Sequence, residues 1–122
     1  MNQLSSIAPL STDRLRVAVV GAGYVAGHHL AALAALDFVD LVGICDPNLD
    51  AARAMASRHG IPRAAAALAG LAEARAQAVH VLTPPSAHAA VAMEALAMGC
   101  HVLVEKPMAD TVEDCEAMIA AA

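Results

Sequence analysis

A chain of 122 residues is long enough for one domain with a hydrophobic core and too short for two. Hydrophobic residues make up 59% of it and charged residues 16%, which argues against a disordered chain. A net charge of −5 and an aromatic content of 2% exclude a basic surface and a set of stacking rings, so nucleic acid is not an expected partner.

The expected location is the cytoplasm. No stretch of the sequence reaches the roughly 18–20 uninterrupted apolar residues of a membrane span, so no membrane partner is predicted. Residues 1–10 lack the basic and apolar regions of a signal peptide. The cysteines Cys45, Cys100 and Cys115 are odd in number and form no C-x-x-C pair, which favours reduced thiols.

Strands and helices are predicted to alternate along the chain. Residues 1–13 are polar and aperiodic and are expected to form a flexible arm, which leaves residues 14–122 as the domain. Strands are predicted at 15–20, 39–45, 63–65, 78–82 and 101–104, and helices at 25–36, 49–58, 66–74, 87–98 and from 111 to the C-terminus. Several strands are apolar throughout, which is typical of a parallel sheet covered on both faces. The predicted fold is therefore α/β, a doubly wound parallel sheet of the Rossmann type with strand order 3-2-1-4-5.

Four residues are predicted to mark the ends of helices. Asn48 and Thr111 precede helical segments and have side chains that can cap a helix N-terminus. Gly60 and Gly99 follow helical segments, at the position where a left-handed residue commonly ends a helix.

The glycine-rich segment after the first strand is the first chemical signal. Gly21, Gly23 and Ala26 satisfy the pattern G-x-G-x-x-G/A between a strand and a helix. Gly21 would permit the tight turn, Gly23 would let the backbone approach a pyrophosphate, and Ala26 would let the helix pack close to the sheet. The helix N-terminus would then offer free N–H groups to the phosphates. The alternative is an ordinary tight turn without a ligand.

Asp46, at the end of the second strand, is the acid expected downstream of such glycines. Its carboxylate can accept hydrogen bonds from the adenosine ribose hydroxyls of NAD. The 2′-phosphate of NADP would meet like charge there, at a cost of about 4 kcal/mol for a separation of ~4 Å. No arginine directly follows Asp46, so NAD is predicted over NADP. The alternative is a turn or helix-capping role for Asp46 before Pro47.

Three segments that follow strands are expected to meet at one edge of the sheet: residues 21–24, 83–85 and 105–107. In an open parallel sheet, ligands bind beyond the carboxyl ends of the strands. The charge pair Glu105–Lys106 is thus predicted to lie where the nicotinamide half of a dinucleotide would bind.

Four stretches, "GAGYVAGHH", "ICDPN", "TPPSAH" and above all "VEKPMADT", resemble the Gfo/Idh/MocA oxidoreductases, the group of glucose–fructose oxidoreductase and inositol dehydrogenase. The resemblance runs from about residue 14 to residue 122. It implies hydride transfer between NAD and a hydroxyl group of a sugar, polyol or cyclitol, which would be the small-molecule substrate.

On the nicotinamide side, the resemblance implies roles for three residues. Lys106 matches the family lysine that contacts the substrate hydroxyl and assists proton transfer. Glu105 matches the acid beside it, near the nicotinamide ribose, and Pro107 matches the proline that fixes the loop. The alternative for Lys106 is a surface lysine paired with a neighbouring carboxylate.

Further cofactor neighbours are implied by the same resemblance. Thr83, Pro84 and His88 match a loop and helix start that border the cofactor, and Tyr24 and Val25 match residues whose backbone faces the pyrophosphate. A solvent-facing position at the helix start is the alternative for His88.

Three other histidines are not expected to bind a metal, and no metal site is predicted. His28 and His29 are adjacent and point in different directions on a helix. His80, inside a strand, is expected to be a hydrogen-bonded core residue.

Family members carry a second α/β domain that supplies the substrate pocket and the main oligomer interface, and this sequence stops before it. Two functions therefore remain open. The chain is expected to be the cofactor-binding part of such an oxidoreductase, inactive by itself; the alternative is a stand-alone NAD-binding regulatory or subunit module without catalysis. An uncovered sheet edge would favour self-association, so a homo-oligomer is expected.

Overall fold

The structure is a computed structural model that describes residues 14–122; the arm predicted for residues 1–13 lies outside the described residues. Within residues 14–122 the strands are β1 (Leu15–Val20), β2 (Val39–Cys45), β3 (Ala64–Ala65), β4 (Ala78–Val81) and β5 (His101–Val104). The helices are α1 (Tyr24–Ala34), α2 (Leu49–His59), α3 (Pro85–Ala97) and α4 (Val112–Ala121), with a 3-10 helix at Leu68–Ala74.

The strands form one parallel sheet in the order β3-β2-β1-β4-β5. The chain winds outward from β1 in one direction to β3 and then returns to start again at β4. The strand order therefore reverses between β1 and β4, which is the point where open α/β sheets bind ligands. The predicted fold class and strand order are confirmed.

Alternate residues of the central strands pack on opposite faces of the sheet. Val17 and Val19 of β1 pack with Leu30 of α1 on one face, whereas Ala18 and Val20 belong to the core on the other face, beside α3. Each fully buried valine or leucine contributes about 1.5–3 kcal/mol. Burial on both faces explains why these strands read as continuous apolar runs.

Several helix ends differ from the prediction. α1 covers residues 24–34 instead of 25–36, and α2 and α3 end one residue later and one residue earlier than predicted. α3 begins at Pro85 and not at residue 87, because a proline at the first helical position loses no hydrogen bond and already has a helical φ. The segment predicted as a helix over 66–74 is the shorter 3-10 helix. It ends at Arg75, which has a left-handed φ of 56°.

The four predicted end residues are confirmed. Asn48 accepts a hydrogen bond from the backbone N–H of Ala51, and Thr111 accepts one from Asp114, so both cap their helices. Gly60 and Gly99 follow α2 and α3 with positive φ values of 68° and 85°.

The cysteines carry free thiols, as predicted. Cys45 and Cys100 are buried and Cys115 is partly exposed. Burial, with Glu94 and Asp46 nearby, raises the pKa of Cys45 to about 12, and burial also raises the pKa of Cys100. None of the helices among residues 14–122 has the length and apolarity that a membrane crossing requires.

Candidate functional site

The carboxyl ends of four strands lie in one row. Cys45 of β2 is in register with Val20 of β1, Val20 with Val81 of β4, and Val81 with Val104 of β5. The segments that follow these four residues therefore begin side by side along one edge of the sheet. The three segments predicted to meet there do so.

The turn after β1 contains two glycines, Gly21 and Gly23, and the surroundings of the two positions differ. Gly21 has a φ of +112°, and a Cβ on it would lie 2.8 Å from the carbonyl oxygen of Leu82. The turn is thus packed against the segment after β4, and only glycine fits. Gly23 has an ordinary φ of −84°, and within residues 14–122 no atom beyond its chain neighbours and its own helix backbone lies within 4 Å of the position where its Cβ would be. Neither its backbone conformation nor protein packing requires a glycine at position 23, so the vacant volume is available to a ligand.

The N-terminus of α1 has no side-chain cap. Gly23 is its N-cap residue and makes no side-chain hydrogen bond, in contrast to the caps at Asn48 and Thr111. The first N–H groups of a helix have no carbonyl one turn earlier to bond. The amides at Gly23, Tyr24 and Val25 are the ones that begin this helix, and they lie beside the open volume at Gly23.

The side chains of Tyr24 and Val25 lie on the surface. Tyr24 is 85% exposed, and its ring packs edge-on against His28 with 4.9 Å between ring centroids. Val25 is 39% exposed. Ala26, by contrast, is buried against the sheet, as its place in the glycine pattern predicts.

Asp46 is tied to the glycine turn. One carboxylate oxygen, Oδ2, accepts a hydrogen bond of 2.8 Å from the Ala22 N–H, and the other, Oδ1, accepts one of 2.8 Å from the Asn48 N–H. Each oxygen has a second lone pair that can accept from a ligand hydroxyl. The tie to Ala22 is a function of Asp46 that sequence reasoning missed. This hydrogen bond holds the Asp46 carboxylate beside the turn that contains Gly23.

The charge pair follows β5 at the same edge. Lys106 is exposed and is the only lysine of the chain, and a cis peptide bond joins it to Pro107. Glu105 Oε1 accepts a hydrogen bond of 3.1 Å from the Lys106 N–H, and its Oε2 lies 3.0 Å from His29 Nε2. The hydrogen bond from His29, followed by that from the Lys106 backbone, lowers the pKa of Glu105. The carboxylate is therefore ionised at neutral pH.

His88 lies inside the protein and not at the surface. It is 1% exposed, so the solvent-facing alternative is wrong. Its Nδ1 lies 2.7 Å from the carbonyl oxygen of Pro107 and its Nε2 lies 2.8 Å from that of Thr83. Carbonyl oxygens only accept, so both hydrogen bonds form together when both ring nitrogens carry hydrogen. His88 thus joins the segment after β4 to the segment after β5.

His29 and His80 belong to the site, although neither was predicted to be a site residue and His80 was expected in the core. Their Nδ1 atoms lie 3.1 Å apart, and His29 also contacts Glu105 as described above. His80 is hydrogen-bonded, as predicted, but half-buried. Burial and the neighbouring His29 lower its pKa. The only sequence signal for this contact was that His80 lies one residue before the end of β4.

A comparison with protein families matches residues 15–122 to the family model GFO_IDH_MocA, described as an oxidoreductase family with an NAD-binding Rossmann fold. Among curated proteins, the chain is 34% identical over 116 residues to D-glucoside 3-dehydrogenase of Escherichia coli, covering 89% of this chain and 32% of that protein. The chain thus spans about a third of the length of the curated relatives it matches.

Solved structures with the same fold bind either form of the cofactor. GenD2 from gentamicin A biosynthesis, in complex with NAD, is 34% identical with a TM-score of 0.85, covering 90% of this chain and 32% of that one. KijD10, a 3-ketoreductase from Actinomadura kijaniata in complex with NADP and TDP-benzene, is 31% identical with a TM-score of 0.84, covering 90% of this chain and 34% of that one.

Proposed function

This chain belongs to the Gfo/Idh/MocA oxidoreductase family through its NAD-binding Rossmann domain, and on that premise we propose that NAD binds along the carboxyl edge of its sheet. The proposed enzyme transfers hydride between NAD and a hydroxyl group of a sugar, polyol or cyclitol. The proposed small-molecule substrate class follows from the family and from relatives whose names give a glucoside or inositol as substrate.

The observation that carries the proposal is the vacant volume at Gly23. A diphosphate would lie against the first amides of α1, where the helix dipole and the free N–H groups favour an anion. A side chain at position 23 would fill that volume, whereas no side chain of residues 14–122 enters it. A glycine that neither the backbone nor packing requires is best explained by a ligand that needs the room.

Asp46 supports NAD over NADP. Its carboxylate is held next to the glycine turn by Ala22 and retains lone pairs for the two hydroxyl groups of an adenosine ribose. Neither of the two ion pairs found within residues 14–122 involves Asp46, so its charge would repel a 2′-phosphate. A relative of the same fold binds NADP, so the fold alone does not select NAD, and the proposed preference rests on Asp46.

At the other end of the row, Lys106 is proposed as the catalytic residue. When bound, NAD supplies the hydride acceptor or donor. The role of Lys106 is to hold a substrate hydroxyl through Nζ and to take up or return its proton. Glu105 would lie near the nicotinamide ribose, with Thr83, Pro84 and Pro107 bordering the cofactor.

Turnover requires more than these residues supply. The side chain of Lys106 is exposed, and nothing among residues 14–122 covers it to exclude water or to orient a substrate. The chain by itself is therefore proposed to bind NAD and to be inactive. Exposed apolar side chains on β5 and α4, namely Leu103, Val112 and Ile119, support the proposal that it forms a homo-oligomer.

A fluorescence titration with NADH and NADPH tests this function. We expect the chain to bind NADH and to bind NADPH at least tenfold more weakly. In a separate assay with NAD⁺ as the hydride acceptor, it should show no polyol oxidation at an ordinary enzymatic rate. Equal or tighter binding of NADPH would contradict the role of Asp46. Failure to bind either nucleotide at millimolar concentration would refute the proposed function. An NAD-binding module that never acts in catalysis would retain NADH binding and gain no activity in any longer form of the protein.

A further inference from the structure

Three side chains from three elements form one hydrogen-bonded chain beside Lys106. His80 lies on β4, His29 on α1 and Glu105 directly after β5, with contacts of 3.1 Å between the two Nδ1 atoms and 3.0 Å between His29 Nε2 and Glu105 Oε2. We propose that His29, supported by His80, is a positioning residue that holds the Glu105 carboxylate and, through it, the backbone of Lys106. The consequence for cofactor binding depends on the proposed function, whereas the contact itself does not.

The direction of the hydrogen bonds follows from the chemistry of the groups. The ionised carboxylate of Glu105 can only accept, so His29 Nε2 carries the hydrogen between them. In a neutral His29, Nδ1 then accepts, and His80 Nδ1 must donate to it. The hydrogen between the two Nδ1 atoms can be donated by either ring. The His29–His80 hydrogen bond therefore forms unless both rings carry hydrogen on both nitrogens. The chain of bonds is thus complete at neutral pH.

The geometry gives His29 a role beyond a surface ion pair. His29 is only 21% exposed in its side chain, and Glu105 35%, so the bond is partly shielded from solvent. His29 projects from the same helix whose N-terminus is proposed to hold the diphosphate. Glu105 Oε1 accepts from the Lys106 N–H. The contact therefore links the diphosphate end of the proposed site to its catalytic end.

A metal site does not explain the cluster. Within the part of the chain that the structure describes, no group of three histidine, cysteine or acidic residues has the arrangement to hold a metal ion. Both nitrogens of His29 are already used in hydrogen bonds to other side chains. His29, His80 and Glu105 are thus held together by hydrogen bonds and not by a shared metal ion.

The first experiment uses NMR on the protein without cofactor. The Glu105 carboxyl carbon and the Lys106 amide are followed from pH 3 to pH 8 in wild type, His29→Leu, His29→Gln and His80→Leu, with His101→Gln as a matched control. His101 is exposed, at the opposite end of β5 from Glu105. We expect His29→Leu to raise the titration midpoint of Glu105 and to move the Lys106 amide resonance. His29→Gln, whose amide can still donate, should restore much of both, and His101→Gln should change neither.

The second experiment measures the affinity for NADH in the same proteins. We expect His29→Leu to weaken NADH binding about three- to tenfold, as befits loss of a partly exposed charged hydrogen bond, and His29→Gln to bind within about twofold of wild type. An unchanged Glu105 midpoint and Lys106 resonance in both His29→Leu and His80→Leu would overturn the proposal. If wild type failed to bind NADH, the proposed function would fail while the first experiment still decided the role of His29.

Discussion

Replacing the two glycines of the first turn by alanine should separate folding from ligand binding. A Cβ at position 21 would lie 2.8 Å from the Leu82 carbonyl oxygen, on a backbone with φ of +112°. Strain of this kind costs about 1–3 kcal/mol, and forcing an extra methyl group into a packed contact costs about 1–3 kcal/mol more. Gly21→Ala should therefore lower stability by about 2–6 kcal/mol and lower Tm by roughly 8 °C or more.

Gly23→Ala should leave folding nearly unchanged and weaken ligand binding. Its φ of −84° and ψ of −165° suit any residue, and apart from adjoining backbone no atom of the described chain lies within 4 Å of the added methyl group. Alanine reduces the conformational freedom of the unfolded chain, a gain of about 0.4–1 kcal/mol, but it is a poorer N-cap than glycine by a similar amount, so stability should change little. The methyl group would occupy the space proposed for the diphosphate, and NADH should bind at least about tenfold more weakly, a loss of about 1.4 kcal/mol.

Calorimetry and NADH fluorescence titration measure the two effects on the same samples. Gly27→Ala is the matched control. Its Cβ would meet only Met55 Cε at 4.0 Å, within a helix where alanine is favoured, so stability should rise and NADH affinity should stay the same. A Gly23→Ala protein that binds NADH as tightly as wild type would refute the assignment of the vacant volume to the diphosphate.

Three further predictions concern charge and reactivity. Asp46→Asn should reduce the preference for NADH over NADPH in paired titrations, because the repulsion of a 2′-phosphate is removed; an unchanged ratio would exclude Asp46 from cofactor selection. The pKa values of His80 and Glu105 are lowered in the folded protein, so the unfolded chain binds more protons just below their ordinary values of 6.5 and 4.5. The unfolding free energy from urea titrations should thus fall as the pH drops below 6.5 and again below 4.5, and His80→Gln should flatten the first step; an equal slope in that variant would contradict this origin. Ellman's reagent should modify one thiol per folded chain quickly, that of Cys115, because the other two are buried, and a Cys115→Ser protein that reacts as fast would disprove this.

Much of the fold follows from patterns that are local in the sequence. β1, β2 and β5 have the predicted bounds because each apolar run ends at a glycine or a charged residue. The shared edge followed from parallel pairing alone, since it depends on strand direction and not on side-chain detail. The start of α3 was misplaced by two residues because two neighbouring prolines suggest a loop, although the second suits the first helical position.

The contacts among the histidines could not be predicted from the sequence. His29 and His80 are separated by 51 residues and meet only because the sheet brings β4 beside β1, under α1. His88 is separated by 19 residues from the carbonyl of Pro107 that it binds. Hydrophobic periodicity reports which face of an element is buried. It does not report which polar partner a buried ring will find there, because that depends on the loops of other elements.

The loop that carries Lys106 is held from both faces of the sheet. On the face of α1, His29 contacts Glu105, whose carboxylate accepts from the Lys106 N–H. On the face of α3, the buried His88 contacts the carbonyl of Pro107. A catalytic lysine must be placed to within a fraction of an ångström of its substrate, and its long side chain is flexible. For the catalytic role proposed for Lys106, rigidity has to come from the backbone that bears the side chain, and the contacts of His29 and His88 hold that backbone from opposite faces.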